Sequence, residues 1–336
     1  MSTAYAELVL PELERIPRLP LAVAPTPLQE TPRLAAALGL DRLIVKRDDN
    51  TGLALGGNKA RKLEYLAAAA LEEDADLLLT TGAPQSNHCR ITAAAARIAG
   101  LDAHFVFDGA AIGEVQGNLV LDRLLGATWS FAGDRPGPER MAELAEELRR
   151  QGRRPYVIPR GGSNGLGALG YVRCALELAE QLEERGDRPR YVVCAGGSCG
   201  TLSGLTLGLA LSAIGAEVVG VSVSGSIPDR VARTREIMAE SCELLDLALP
   251  DAAPTIWDGY IGRGYGMPTA LSTRALEMAA RTEGLILDPV YTAKAFAGLI
   301  GEVETGQVKR DELVVFVHTG GTPALFAETS LYWHPD

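Results

Sequence analysis

Short β-rich runs alternate with Ala- and Leu-rich stretches of helical period, and this alternation limits what the chain can fold into more than any other feature. The clearest strand candidates are RLIVK, DLLLTT (76–81), HFVF (104–107), YVVCA (191–195), EVVGVSV (217–223) and LVVFVH (313–318). Between them lie helical candidates at Lys59–Leu71, Arg90–Ala99, Pro138–Gln151, Gly167–Arg185 and Thr201–Ile214. Strands alternating with helices predict an α/β fold, an open, mostly parallel sheet with helices on both faces. Ligands of such sheets sit beyond the carboxyl ends of the strands, so the chemistry belongs in the loops that follow them.

A length of 336 residues allows two lobes sharing one cleft, or one large α/β domain. The turn-rich passages Ala132–Pro138 and Pro159–Gly170 are the candidate hinges, and the five glycines of RGGSNGLGALG favour the second as a lobe boundary. With 32 Lys+Arg against 43 Asp+Glu, the net charge of −11 argues against a nucleic-acid or anionic-membrane partner, because no basic surface is available to release counterions. A small anionic ligand is still compatible, since a site can be locally positive on an acidic protein. The start MSTAYAELVL lacks the pattern of a signal peptide, and no apolar run is long enough to span a bilayer. Cys89, Cys174, Cys194, Cys199 and Cys242 are scattered without metal spacing, which reads as reduced thiols in a cytoplasm.

In LALGGNKARKLEYL (53–66), Gly56, Gly57 and Asn58 suit the residues before a helix that begins at about Lys59. At helical spacing Lys59 shares a face with Leu63, Leu66, Ala67 and Ala70, while Arg61, Glu64 and Tyr65 fall opposite. A lysine on an apolar face either snorkels to water along its stem or is an imine-forming amine whose pKa is lowered by desolvation and cationic neighbours. Position alone leaves both readings open.

YVVCAGGSCGTLSGL is a strand, a glycine turn and a helix start. Gly196, Gly197 and Gly200 let backbone N–H groups converge on an anion, Ser198 and Thr201 add hydroxyls, and the helix N-terminus adds its dipole. The order is not that of a dinucleotide loop, and a tight turn needing glycine only for packing is the structural alternative. In TTGAPQSNHCRITAAAARIAG, Ser86, Asn87 and His88 lie at a helix start, where they either cap it or present groups to a carboxylate. Near the C-terminus, DPVYTAKAFAGL (288–299) places Tyr291 and Thr292 before a helical pattern, and LVVFVHTGGTPALF (313–326) runs a buried strand into His318, Thr319, Gly320 and Gly321. Tyr291, and Tyr265 in RGYGMPT, are either cleft residues or ordinary aromatics. A threonine hydroxyl at the strand end is placed to meet a ring nitrogen.

Taken together, these segments resemble the fold-type II pyridoxal-phosphate enzymes (the tryptophan synthase β-like architecture), specifically the D-cysteine desulfhydrase and 1-aminocyclopropane-1-carboxylate (ACC) deaminase family. The resemblance runs from TPL (26–28) and KRDDNTGLALGGNKARKLE (46–64) to HTGGTPALF (318–326), with QSNH and DPVYT in order between. It implies that Lys59 carries pyridoxal 5'-phosphate as a Schiff base. It further implies that Gly196, Gly197, Ser198, Cys199, Gly200 and Thr201 hold the phosphate, that Asn87 contacts the ring oxygen, and that Thr319 lies near the pyridine nitrogen. Gln85, Ser86, Asn87 and His88 would receive the substrate carboxylate, with Tyr265 and Tyr291 as active-site tyrosines.

VYT and HTGG, where ACC deaminases characteristically read VYE and HLGG, point to the desulfhydrase branch. A neutral hydroxyl beside the pyridine leaves a weaker electron sink than a carboxylate, sufficient when a good β leaving group departs. The expected reaction is α,β-elimination of a β-substituted amino acid, D-cysteine giving pyruvate, hydrogen sulfide and ammonia. Lys59 would remove the α-proton, with Ser86 or Tyr291 as further proton-handling residues. Cysteate sulfo-lyase and ACC deaminase are alternatives within the class, and a nucleotide-binding dehydrogenase or a non-catalytic cofactor binder lie outside it. Cys199, Gly196 and Asn50 depart from the family's usual alanine, serine and cysteine. The resemblance also implies a homodimer, and a large lobe of residues 1–57 and 166–336 with a small lobe of 58–165 inserted.

Overall fold

The computed structural model describes residues 2–212 and 214–327. Its strands are β1 (Leu28–Glu30), β2 (Leu43–Lys46), β3 (Leu77–Gly82), β4 (Asp102–Phe107), β5 (Thr128–Phe131), β6 (Pro155–Val157), β7 (Tyr191–Gly196), β8 (Glu217–Ser222), β9 (Thr255–Trp257) and β10 (Val314–Val317). They form a six-stranded sheet in the order β1-β2-β10-β7-β8-β9 and a four-stranded sheet in the order β5-β4-β3-β6. Every pairing is parallel except that of β1 with β2.

The helices are α1 (Ser2–Arg15), α2 (Pro32–Leu38), α3 (Lys59–Glu72), α4 (Asn87–Ala99), α5 (Asn118–Leu124), α6 (Gly137–Arg150), α7 (Gly165–Arg185), α8 (Gly200–Ala210), α9 (Ile227–Leu244), α10 (Ala270–Glu283) and α11 (Thr292–Glu304). One core gathers Leu34 of α2, Ala275 of α10, Phe296 of α11 and Phe316 of β10. Another joins Tyr171 and Leu178 of α7, Leu202 of α8 and Val192 of β7. The smaller sheet packs Phe105 against Leu63 and Leu66 of α3 and Ile91 of α4, while Leu79 and Val106 meet Met141 of α6. Both sheets are therefore covered by helices, which is why their strands read as near-continuous apolar runs.

Four local differences from the sequence expectations concern the elements themselves. Helix α3 has no exposed polar face: Arg61, Glu64 and Tyr65 are buried like the apolar positions. Each has a partner that makes burial tolerable. Arg61 donates to Asp48 and Glu177, each at 2.9 Å, Glu64 accepts from the N–H of Leu21 at 2.9 Å and of Ala22 at 3.0 Å, and the Tyr65 hydroxyl accepts from Arg173 at 3.3 Å. Asn58 does not cap α3; its side-chain amide donates to Thr201 Oγ1 at 2.9 Å.

The glycines of 161–170 are packed rather than slack. A Cβ on Gly167 would lie 2.2 Å from the Gly162 carbonyl, and one on Gly170 2.2 Å from the Arg61 carbonyl. They bring α7 hard against α3. Finally, α8 stops at Ala210 instead of Ile214, where Ser212 Oγ turns back to donate to the Leu209 carbonyl at 2.9 Å.

Candidate active site

The carboxyl ends of β3, β7 and β10 open on one cavity of about 320 Å³, within the size range of small-molecule sites. Gly82, Ala195 and Gly197, and Thr319 mark those three ends on its wall. Lys59 enters from the N-terminus of α3, and its position depends on two glycine pairs that interlock. A Cβ on Gly56 would lie 1.9 Å from the Asp49 carbonyl, and one on Gly320 2.8 Å from Gly57 Cα. Gly56 and Gly57 also take φ of 69° and 118°, which side-chain-bearing residues rarely adopt. The N–H of Asn58 then donates to the Thr319 carbonyl at 3.0 Å, tying the lysine's neighbour to the end of β10.

Lys59 Nζ faces the cavity and donates to Asn58 Oδ1 at 3.1 Å. Burial lowers its pKa to about 8; Asp288 opposes this and Arg90 assists it. An ammonium at a helix N-terminus is further disfavoured by the dipole. Near neutral pH the residue thus has a substantial fraction of free amine, the form that attacks an aldehyde.

Across the cavity, Gly197, Ser198, Cys199 and Thr201 line the wall, with Cys199 in a left-handed conformation (φ 68°) that turns the chain into α8. Gly196 and Gly200 do not reach it. Gly196 closes β7 against the Val221 carbonyl, and Gly200 leaves room for Lys62 Nζ, which a Cβ would meet at 2.7 Å. Lys62 is fully buried, donating to the Gly161 carbonyl at 3.2 Å and to Ser163 Oγ at 3.1 Å, and Ser163 shares a hydrogen bond of 2.7 Å with Ser198.

Ser86, Asn87 and His88 also line the cavity. Ser86 does cap α4, accepting from the N–H of Cys89 at 3.3 Å, and Asn87 Oδ1 accepts from Asn118 at 3.0 Å. His88 shares a hydrogen bond of 2.9 Å between Nε2 and Thr80. Burial drives its pKa well down, so it is neutral, and its buried Nδ1 has no partner. Gln85 is not a cavity residue, contrary to expectation. Its amide is spent on the Asn118 N–H (2.8 Å) and the Gln116 carbonyl (2.9 Å), holding the start of α5.

Tyr265 and Tyr291 meet edge to face with centroids 5.8 Å apart, and their hydroxyls are hydrogen-bonded to each other at the cavity wall. Burial raises both pKa values, so both hydroxyls keep their protons. Thr319 lines the cavity, whereas Thr292 points inward and donates to Asp288 Oδ1 at 2.7 Å. The branch-marking threonine at 292 therefore does not line the cavity.

Sequence reasoning missed Lys62, Arg160 and Arg230. Arg160 lines the cavity from the passage read as a linker, paired with Asp108 at 2.5 and 2.7 Å, and an arginine inside a glycine loop was the available signal. Arg230 is one of several arginines on α9, and nothing in SGSIPDRVAR sets it apart. Among the described residues no cluster of His, Cys, Asp or Glu could hold a metal, and all five cysteines are free and buried. Among the same residues no helix is long and apolar enough to cross a membrane.

An amine with its pKa lowered to about 8, a glycine turn leading into a helix N-terminus, and the Arg230 guanidinium beside that turn fit a phosphorylated aldehyde. The chain belongs to the pyridoxal-phosphate dependent enzyme family, whose model matches residues 19–320. Among its relatives is a D-cysteine desulfhydrase of Klebsiella pneumoniae (strain 342), 46% identical over 332 residues, covering 97% of this chain and 99% of that one. A D-cysteine desulfhydrase of Serratia proteamaculans (strain 568) is 43% identical over 331 residues, covering 96% and 98%. Among solved structures, an ACC deaminase homologue superposes with a TM-score of 0.89 at 38% identity, covering 96% of this chain and 97% of that one. A threonine deaminase of Solanum lycopersicum shares the fold at TM-score 0.67 and 17% identity, covering 99% and 89%.

Proposed function

We infer that this protein is a pyridoxal-phosphate dependent lyase that converts D-cysteine to pyruvate, hydrogen sulfide and ammonia. The observation that carries the reading is Lys59: an amine with its pKa lowered to about 8, facing Gly197–Thr201 across one cavity. The names of the relatives supply the substrate.

When bound, the cofactor supplies an electron sink that makes the α-proton of an amino acid removable. Lys59 would hold its aldehyde carbon, and Gly197, Ser198, Cys199 and Thr201, backed by Lys62, its phosphate. Thr319, a neutral hydroxyl, would face the ring nitrogen, and Asn87 the ring oxygen. The N-terminal turn of α4, with Ser86 and Asn87, would receive the substrate carboxylate, where backbone N–H groups and the dipole favour an anion.

Lys59 as a free amine is suited to take the α-proton, because a base with a pKa near the working pH is the most effective. The hydroxyl pair of Tyr265 and Tyr291 is suited to donate a proton to the departing sulfur. Residues 58–165 would move as the small lobe to exclude water, and the working unit would be a homodimer. The five reduced cysteines support a cytoplasmic location.

The test is a turnover screen of purified protein against both enantiomers of cysteine, cysteate and ACC, following sulfide, sulfite and pyruvate, with borohydride trapping in parallel. D-cysteine is expected to release sulfide and pyruvate in equal amounts, and the trapped pyridoxyl group to sit on the peptide containing Lys59. Faster turnover of ACC or cysteate, or an adduct elsewhere, overturns the assignment.

A further inference from the structure

The turn at Gly197–Gly200 lies between a buried lysine amine and an arginine, and neither has a carboxylate partner among the described residues. Behind it, Lys62 is buried and bonded only to a carbonyl and a hydroxyl. In front, Arg230 of α9 lines the cavity beside Gly197, Ser198 and Cys199. Its Nη1 donates to the Gly197 carbonyl and lies 3.8 Å from Cys199 Sγ. Its Nε is buried without a partner. The next arginine on the same helix, Arg233, is paired with Glu236 at 2.6 Å and Glu240 at 3.4 Å. Arg230 forms no such pair among the described residues.

A buried guanidinium N–H without an acceptor is costly, and the cost is removed when an anion arrives to accept from it. Backbone N–H groups satisfy phosphate oxygens but leave the charge of about −1.5 to −2 on a phosphate monoester unbalanced. Arg230, on the open side of the turn, supplies positive charge against it, whereas burial pushes the pKa of Lys62 well below the ordinary lysine value. The chain also leaves Arg230 its place: a Cβ at Gly225 would lie 2.5 Å from the guanidinium.

We propose that Arg230 is a phosphate-binding residue of this protein, covering the cofactor's phosphate from the open side of the Gly197–Gly200 turn. The guanidinium pivots on the Gly197 carbonyl and offers Nε and its second Nη to phosphate oxygens, in the forked geometry that lysine cannot reproduce. The inference rests on the family's cofactor and not on the substrate, so failure of D-cysteine turnover leaves it standing.

The experiment uses full-length protein stripped of cofactor, as wild type, Arg230→Gln and Arg230→Lys. Each is titrated with pyridoxal 5'-phosphate and with pyridoxal, which has the ring and aldehyde but no phosphate, following imine absorbance. Arg230→Gln is expected to weaken pyridoxal phosphate about tenfold to a hundredfold, the range of a charge-assisted hydrogen bond, while pyridoxal binds as to wild type. Arg230→Lys should recover part of the loss, and inorganic phosphate should raise the melting temperature of stripped wild type more than that of Arg230→Gln. Unchanged affinity for pyridoxal phosphate, an equal loss for pyridoxal, or a lysine variant as weak as the glutamine variant would each overturn the proposal. The last two outcomes assign Arg230 to packing of the turn.

Discussion

At the scale of single residues, Lys59 is governed by burial more than by its charged neighbours. Asp288 pulls its pKa up and Arg90 pushes it down, and desolvation outweighs both, leaving it at about 8. Only the neutral amine attacks an aldehyde, so the stripped protein should capture pyridoxal phosphate about tenfold faster for each pH unit up to about 8 and then level off. Stopped-flow absorbance up to about pH 10 checks it, and a rate that keeps climbing well past about pH 8 without levelling would place the amine in water with an ordinary pKa. Lys59 and the turn at 196–201 were legible because glycines, a strand end and a helix start leave local signatures in sequence. Gln85 does not line this cavity although its neighbours Ser86 and Asn87 do, because a one-residue step along the chain before a helix cap turns the side chain away. Arg230 was invisible, since an arginine on a helix has no local feature that reports a missing counter-charge.

At the scale of elements, α3 depends on buried charge. Arg61 and Lys46 converge with Asp48 and Glu177, while Tyr171 donates to Asp48 at 2.6 Å. Burial raises the Asp48 pKa, but Arg61 and Lys46 outweigh it and the result is about 2, below the ordinary 3.8. A depressed carboxylate contributes stability that is present above about pH 3.8 and lost as pH falls through about 2. Replacing Asp48 with Asn leaves Arg61 short of one partner and should cost about 3–5 kcal/mol at neutral pH in urea unfolding. The variant should also lose the part of the acid-unfolding slope that Asp48 causes. A cost below about 1 kcal/mol would show that Glu177 alone holds Arg61. The helical period identified α3 correctly, yet its apparent polar face is interior, because periodicity reports the spacing of apolar residues and not the partners of the others. The three-residue strands β1, β6 and β9 escaped notice for a related reason: three residues carry no usable alternation.

At the scale of the whole molecule, the alternation of strands and helices was enough to specify parallel sheets covered on both faces, and the long buried strands β3, β7, β8 and β10 fall where the apolar runs are. The division into two sheets was less legible, because it depends on which strands pair and not on their sequences. The strand order has a temporal meaning. β10, which follows the other nine described strands in the chain, lies inside the larger sheet, bonded to β2 on one side and to β7 on the other. Until the ribosome has released residues 314–320, the nascent chain therefore carries two open half-sheets, and Lys59 has no Thr319 carbonyl to anchor its neighbour. Vitamin capture thus waits for residues 314–320: a chain cut before Val314 should take up no pyridoxal phosphate, and stalled ribosome complexes lacking that strand should stay colourless however long they are incubated.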